Sequence, residues 1–411
     1  MKKIHLNLHI GTGISSRQFI TVTSLISGTL AWFFLLQDYY LDIFVSSTND
    51  GYWASVGIIT FYGFGALSAI VGSSIADRLN RRKLLGYWIA IATLATASLA
   101  VFHGDVFLVV FSILLGFCLG MGFPSCAALF ADLTVVEERA RVAGLIILVA
   151  FILTFLGVAI IPILGLGTLG GILFLTLLRL GGFLSLVLDP CERKEKKEEP
   201  WSSILSNRNF AFFLLPWVMF NIAAGLLGWW DIPDSPDFLA VIAIGSTLAT
   251  ALMGISGLIG GSLADRFGRK QPIVISLVMF GVSFAVLSFT IIPESVFIYY
   301  ATYGIAWGFL FTLYLTIPGD LALSGSKEKY YAIGTVTPLI IFMFISMLPE
   351  LVPIRLSASV LSPILTIILF LSIIPVLKAS ETLPERKMRE RRLKDHIEKV
   401  GKLVSKSKKK E

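Results

Sequence analysis

Charge is what this chain has least of. Only 15% of its 411 residues are charged, against 55% hydrophobic. A soluble protein of this length needs far more polar surface. Histidine and cysteine are scarce as well. His5, His9, His103 and His396 fall near the termini or in a loop. Cys118, Cys126 and Cys191 have no metal-ligand spacing, and they read as small packing residues rather than a disulfide framework. No His-Glu-x-x-His, Gly-x-Ser-x-Gly or phosphate-loop string occurs. Gly165-Leu-Gly167-Thr-Leu-Gly170 matches the dinucleotide fingerprint in letters only, because no strand precedes it and it opens an apolar run. The expectation is neither an enzyme nor a protein with a cofactor or metal.

Long apolar runs fill the rest. Crossing a hydrocarbon core of roughly 30 Å takes about 20 helical residues. About twelve runs qualify: 17–45, 51–76, 83–103, 106–131, 140–163, 165–188, 209–230, 238–264, 271–292, 295–319, 330–349 and 354–377. They do not alternate apolar with polar residues, which excludes an outer-membrane barrel and predicts an all-α membrane protein. With a cytoplasmic N-terminus, all but Arg179 and Arg355 of the 34 basic residues fall on the cytoplasmic side. Asp50, Asp105, Asp231, Asp234, Asp237, Glu294 and Glu350 fall outside. Both termini are therefore expected in the cytoplasm. The net charge of +7 describes the inner face of a membrane and not a nucleic-acid site. The first run is too long for a signal-peptide core, so none is expected.

A mixed-charge connection at 189–208 divides six spans from six. The expected organisation is a bundle at 1–188, a cytoplasmic linker at 189–208, a second bundle at 209–378 and a basic cytoplasmic tail at 379–411. In the tail, Leu393, Ile397, Val400 and Val404 lie at helical spacing among lysines. That pattern reads either as an amphipathic helix on the inner leaflet or as a solvated tail.

One string occurs twice. Gly72-Ser-Ser-Ile-Ala-Asp77-Arg78-Leu-Asn80-Arg81-Arg82 recurs as Gly260-Gly-Ser-Leu-Ala-Asp265-Arg266-Phe-Gly268-Arg269-Lys270, 188 positions later. The same offset relates Gly116 to Gly304, Gly120 to Gly308, Phe123 to Phe311 and Asp132 to Asp320. Two halves of one fold follow. The glycines of spans 4 and 8 predict close helix packing. Each string must reverse the chain within a few residues. Gly268 suits the left-handed conformation of such a turn, and Asn80 tolerates it. Asp77 and Asp265 sit at the membrane edge, where a carboxylate needs a basic partner or a helix N-terminus. Arg78, Arg81 and Arg82, with Arg266, Arg269 and Lys270, lie on the same side as Asp132 and Asp320. Pairs among them, made and broken, would latch the two bundles.

The repeated Asp-Arg-x-Gly-Arg-Lys pattern resembles motif A of the major facilitator superfamily, and the resemblance covers essentially the whole chain. It implies twelve helices in two pseudo-symmetric six-helix bundles, a central cavity and rocker-switch alternating access. The first copy departs from the pattern: Asn80 replaces the usual Gly, and Gly72 stands one position early. Asp189-Pro-Cys-Glu-Arg193, Ser380-Glu381-Thr382 and Asp132 followed by Arg139 are similar to elements of sugar-porter-like members. Tyr40-Leu-Asp42-Ile-Phe-Val-Ser46 resembles a span 1 element in which the Asp is linked to proton coupling. Span 5 lacks the Gly-Pro-x-x-Gly-Gly of drug antiporters. Ser112 occupies a span 4 position where an Arg is common, and that removes the usual charge partner of the span 1 Asp.

Asp38 and Asp42 lie one turn apart on one helical face. They read either as proton or cation acceptors or as solvated carboxylates at the outer mouth. Asn221, mid-span, is a candidate substrate hydrogen-bonder or a helix–helix bonder. Trp32, Trp217 and Trp307 stack on a solute or pack, and Trp217 is counted with Asn221 as a candidate binding residue. Arg179 either snorkels to the inner headgroups or pairs with a buried group, and snorkelling is the expected choice. The expected function is proton-coupled uptake of a small polar metabolite, a sugar or organic acid, by a monomer in the inner or plasma membrane. The alternatives are an efflux permease and a non-transporting sensor.

Overall fold

The computed structural model describes residues 14–40, 51–76, 80–102, 105–188, 199–226, 236–289, 292–323, 325–351 and 357–384. Every regular element among them is a helix. In chain order these are α1 Ser16–Tyr40, α2 Gly51–Ala76, α3 Arg81–Ser98, α4 Asp105–Gly120, α5 Phe123–Leu133, α6 Arg139–Ile163, α7 Gly167–Gly181 and α8 Phe183–Leu188. They continue as α9 Trp201–Leu205, α10 Arg208–Leu226, α11 Pro236–Phe267, α12 Lys270–Phe289, α13 Pro293–Leu321, α14 Lys327–Leu351, α15 Ala358–Leu371 and α16 Ile373–Lys378. Among the described residues, eleven spans are long and apolar enough to cross a membrane. The twelfth, α3, opens on Arg81, Arg82 and Lys83 before turning apolar, and it packs on α4 and α7.

Local chemistry sets the helix ends. Ser15 and Gln18 close a reciprocal cap on α1: the Gln18 N–H donates to Ser15 Oγ at 3.3 Å and the Ser15 N–H to Gln18 Oε1 at 3.2 Å. Gly268 takes φ +101°, the left-handed turn expected of it. Asn80 does something else. Its backbone is extended (φ −61°, ψ 121°), and its side chain accepts from the Arg82 N–H at 2.9 Å. Asn80 is therefore a helix N-cap, which asparagine stabilises directly, and no left-handed residue is needed there. Three expected spans are broken, at Met121–Gly122, Gly182 and Ser372. At the first break, Pro124 cannot donate into the preceding turn. Gly122 lies so close to the Trp88 ring that a Cβ would fall 2.2 Å from it.

The halves pack alike. Within the first, α2 lies on α4; within the second, α11 lies on α13. A Cβ on Gly116 would lie 2.2 Å from the Phe61 carbonyl oxygen, and one on Gly304 2.5 Å from that of Ala249. One turn on, Gly120 meets the Gly65 oxygen at 2.0 Å and Gly308 the Met253 oxygen at 2.2 Å. Each partner is again displaced by 188, so the backbone contacts repeat with the sequence. Two seams join the halves, α6 on α11 and α2 on α14. Burial is densest at the end that carries the repeated strings and thins away from it. α11 buries ten residues from Gly245 to Asp265 and none from Pro236 to Ile244, while α14 buries none of its described residues beyond Leu339.

Candidate functional site

The closed end is held by a charge network that crosses both seams. Arg139 donates to Asp320 at 2.6 Å, and Arg269 donates to the other oxygen of Asp320 at 3.0 Å. Asp320 also accepts from Thr382 at 3.2 Å. Arg81 donates to Asp132 at 2.9 Å and to Glu328. Lys327 reaches Asp132 at 2.7 Å. These pairs follow the repeat. Arg81 with Asp132 matches Arg269 with Asp320, and Lys327 with Asp132 matches Arg139 with Asp320, since 139 and 327 also differ by 188. Arg139 thus bridges to Asp320 across the seam and not to Asp132. Asp265 bonds Arg269 at 2.6 Å and accepts the Ala140 and Arg141 N–H groups at 3.2 and 2.8 Å. It therefore caps the N-terminus of α6 from the other half, which is where an edge carboxylate is stabilised. Burial alone would lower the Arg269 pKa, but Asp320 and Asp265 outweigh it and hold it above the ordinary arginine value. Glu381 accepts the Arg269 and Lys270 N–H groups at 2.8 and 3.2 Å, capping α12.

The other expected members lie at the margin. Arg82 is exposed and bonds the Leu186 carbonyl at 2.9 Å. Arg266 is exposed over the Phe267 ring. Lys270 Nζ donates to the Leu377 and Ala379 carbonyls at 2.8 Å each. Asp77, Arg78 and Asp42 fall outside the described residues, as does the side chain of Asp38.

Above the network lies a cavity of about 510 Å³ between the halves. α1 contributes Phe33, Phe34 and Gln37; α6 contributes Phe151; α10 contributes Trp217 and Asn221; α13 contributes Tyr303, Trp307, Phe311 and Tyr314. The rings brace one another. Trp217 stacks on Tyr314 at 4.3 Å and Trp307 on Phe311 at 4.6 Å, while Phe34 meets Phe311 edge-on at 5.4 Å. Leu315 and Tyr331 line the side toward the charge network. The ion pairs bound the cavity on one side, and burial along both seams thins on the other. Trp217 and Asn221 both line it. Sequence reasoning missed the ring cage, because single aromatics scattered over four spans have no shared spacing.

Arg179 corrects an expectation. It does not snorkel. Its guanidinium is buried inside the first half, 4.1 Å from the Trp32 ring and 4.9 Å from that of Trp88. It donates to Thr29 Oγ1 and to the Cys118 carbonyl, each at 3.1 Å. The Cys118 carbonyl sits at the broken end of α4, where helical donors run out, and Trp88 Nε1 also donates to it. Two indole faces and an orphan carbonyl make a better site than the headgroup region, nine residues away along the span. Arg179→Lys keeps the charge but loses the planar stacking. It is expected to cost about 2 kcal/mol, read as a lower melting midpoint in detergent. An unchanged midpoint would contradict this account.

Among the described residues no His, Cys, Asp and Glu cluster is arranged to hold a metal ion. Against known proteins, the Major Facilitator Superfamily profile matches residues 19–337. The chain belongs to this superfamily. By family it is a multi-pass membrane protein. A gallate transporter of Pseudomonas putida is 28% identical over 208 residues, which is 50% of this chain and 37% of that protein. The chain thus spans little more than a third of that relative's length. The human organic anion transporter MFSD10 (TETRAN) superposes with a TM-score of 0.66 at 14% identity, covering 88% of this chain and 99% of that one. A bacterial homologue of the iron transporter ferroportin, in an outward-facing state, gives 0.65 at 16% identity over 88% and 98%. At these identities the structures share the superfamily fold, and nothing follows from them about the solute.

Proposed function

We propose that this superfamily member is a secondary transporter that carries a small organic solute by alternating access, in the inner or plasma membrane, as a monomer. The observation that carries this reading is the pairing of a central cavity with a charge latch that crosses both seams at one end. With the basic residues on the cytoplasmic side, the latched end is cytoplasmic and the state described is outward-facing. We place the division between the halves at 189–208, from the charge pattern of the sequence. Exchange of access requires the buried pairs of Asp320, Arg81 and Asp265 to part together. Such a set is bistable rather than gradual, because each charge left alone in the seam is costly.

The expected sugar or organic acid meets a lining of aromatic rings with no lysine or arginine among its described residues. The efflux alternative fits that lining better. Gallate, the named solute of the bacterial relative, is an aromatic carboxylate, and this cavity matches its ring more than its charge. Proton coupling rests on Asp38 and Asp42. The test is reconstitution into liposomes holding a pH dye, with a panel of sugars, carboxylates, neutral aromatics and lipophilic cations. Saturable flux of one class is expected, with a pH change that Asp42→Asn abolishes if protons are coupled. Flux without any pH change would remove proton coupling, and no flux of any class would remove the transporter reading for this chain.

A further inference from the structure

Most polar atoms around the cavity are already used. Trp217 Nε1 donates to the Gly334 carbonyl at 3.2 Å, Tyr314 OH to that of Phe213 and Tyr331 OH to that of Leu315. The Thr154, Thr250 and Thr335 hydroxyls bond carbonyls one turn back on their own helices. The rings are thereby fixed, and their faces form the wall. Two buried polar atoms of the lining differ. Asn221 Oδ1 and Trp307 Nε1 are buried and have no hydrogen-bond partner among the described residues, yet both residues line the cavity.

The Asn221 amide cannot simply be turned round. Its Nδ2 donates to the Trp217 carbonyl at 2.7 Å, and a carbonyl accepts but does not donate. Oδ1 is therefore fixed as an open acceptor. The Trp307 ring is held between Phe311, stacked at 4.6 Å, and Phe220, edge-on at 4.6 Å, so its N–H is fixed as an open donor. A buried donor or acceptor left unpaired costs about 1–3 kcal/mol. Both belong to residues that line one cavity, so a solute that displaces the rings covering them meets an acceptor and a donor together. The described lining carries no Asp, Glu, Lys or Arg, so an ionised solute group would shed water with nothing to replace it. Ring faces attract cations, but the unpaired Trp307 N–H opposes one.

We infer that the cavity selects an uncharged solute with a flat aromatic ring and an adjacent hydrogen-bond donor and acceptor, as in an aryl amide or lactam, read by Asn221 Oδ1 and Trp307 Nε1. The ring lies among Trp217, Phe311 and Phe34; the solute N–H donates to Asn221 and its carbonyl accepts from Trp307. This inference rests on the transporter reading for the use of the site, but not for its existence.

The test is equilibrium binding to the full chain in nanodiscs by calorimetry. The probes are quinolin-2-one, naphthalene, 2-naphthoate and 2-naphthylmethylammonium, which share a bicyclic ring and differ in polarity and charge. Quinolin-2-one is expected to bind at least about tenfold tighter than the other three. Trp307→Phe keeps a ring and removes the N–H; Asn221→Leu removes the acceptor. Each is expected to weaken quinolin-2-one by about tenfold and to leave naphthalene unchanged, a split that a merely structural role would not give. Equal or tighter binding of the naphthoate or the ammonium, no binding of the lactam, or loss of both neutral probes in Trp307→Phe would overturn the inference. Flux of the bound lactam is read separately. Binding with this selectivity but without flux keeps the site and sinks the transporter reading, whereas flux without the selectivity sinks the site alone.

Discussion

Asp320→Ala is expected to abolish transport at a rate measurable in liposomes and to lower the stability of the latched state by roughly 3–5 kcal/mol. The Asp320 side chain is fully buried and serves both Arg139 and Arg269, which are themselves buried. Removing it leaves two guanidinium groups in the seam with one carboxylate fewer, and the remaining neighbour, Asp265, is already engaged with the α6 N-terminus. Asp132→Ala is the comparison. Its carboxylate is 39% exposed, and Arg81 keeps Glu328 when it is lost. The expected defect is therefore several-fold smaller. Initial uptake rates and melting midpoints of the two variants check the order. Equal defects would mean that the repeat-related pairs carry equal weight, against the burial argument.

Gly261→Val is expected to hold the charged end open. A Cβ at Gly261 would fall 2.1 Å from the Ala140 carbonyl oxygen across the α6–α11 seam. That contact is backbone, so nothing flexible can yield. Overpacking of this kind costs about 1–3 kcal/mol, and here it falls wholly on the closed state. The closed population should drop on the order of tenfold, and turnover with it. Gly254→Ala, on the same face but nearer the cavity, would meet the Phe151 Cβ at 3.2 Å, and near-normal turnover is expected. Normal turnover in Gly261→Val would show that the seam is not as close in the working protein.

Much of this was legible in the sequence, and for a physical reason. Burial in lipid forces whole spans to be apolar, so the helices announce themselves. The repeat carries its own register, so Asp132 and Asp320 appear as a pair before any coordinates. Followed further, the same offset would have named Lys327 from Arg139, and Glu328 stands beside it. That signal was present and unread, because the second member is Lys where the first is Arg. The cavity was harder. Asn221 and Trp217 could be nominated one by one, but the cage of Phe34, Phe151, Trp307, Phe311 and Tyr314 comes from three helices whose rotations only packing decides. Arg179 was misplaced because composition cannot show that two indoles, Trp32 and Trp88, converge on one point inside a bundle. Asn80 was misread as a turn residue because the same side chain serves turns and helix caps equally well.

The measurement that bears most directly on alternating access is sidedness of labelling at the cavity. Thr250, which lines it, is replaced by Cys in a chain whose Cys118, Cys126 and Cys191 are Ser, and sealed vesicles of known orientation receive an impermeant maleimide from one side. The latched structure predicts labelling from the side opposite the charge network only, with labelling from the network side appearing when Asp320→Ala is added. Labelling of the latched chain from the network side, or no change on removing Asp320, would contradict a cavity gated by these ion pairs.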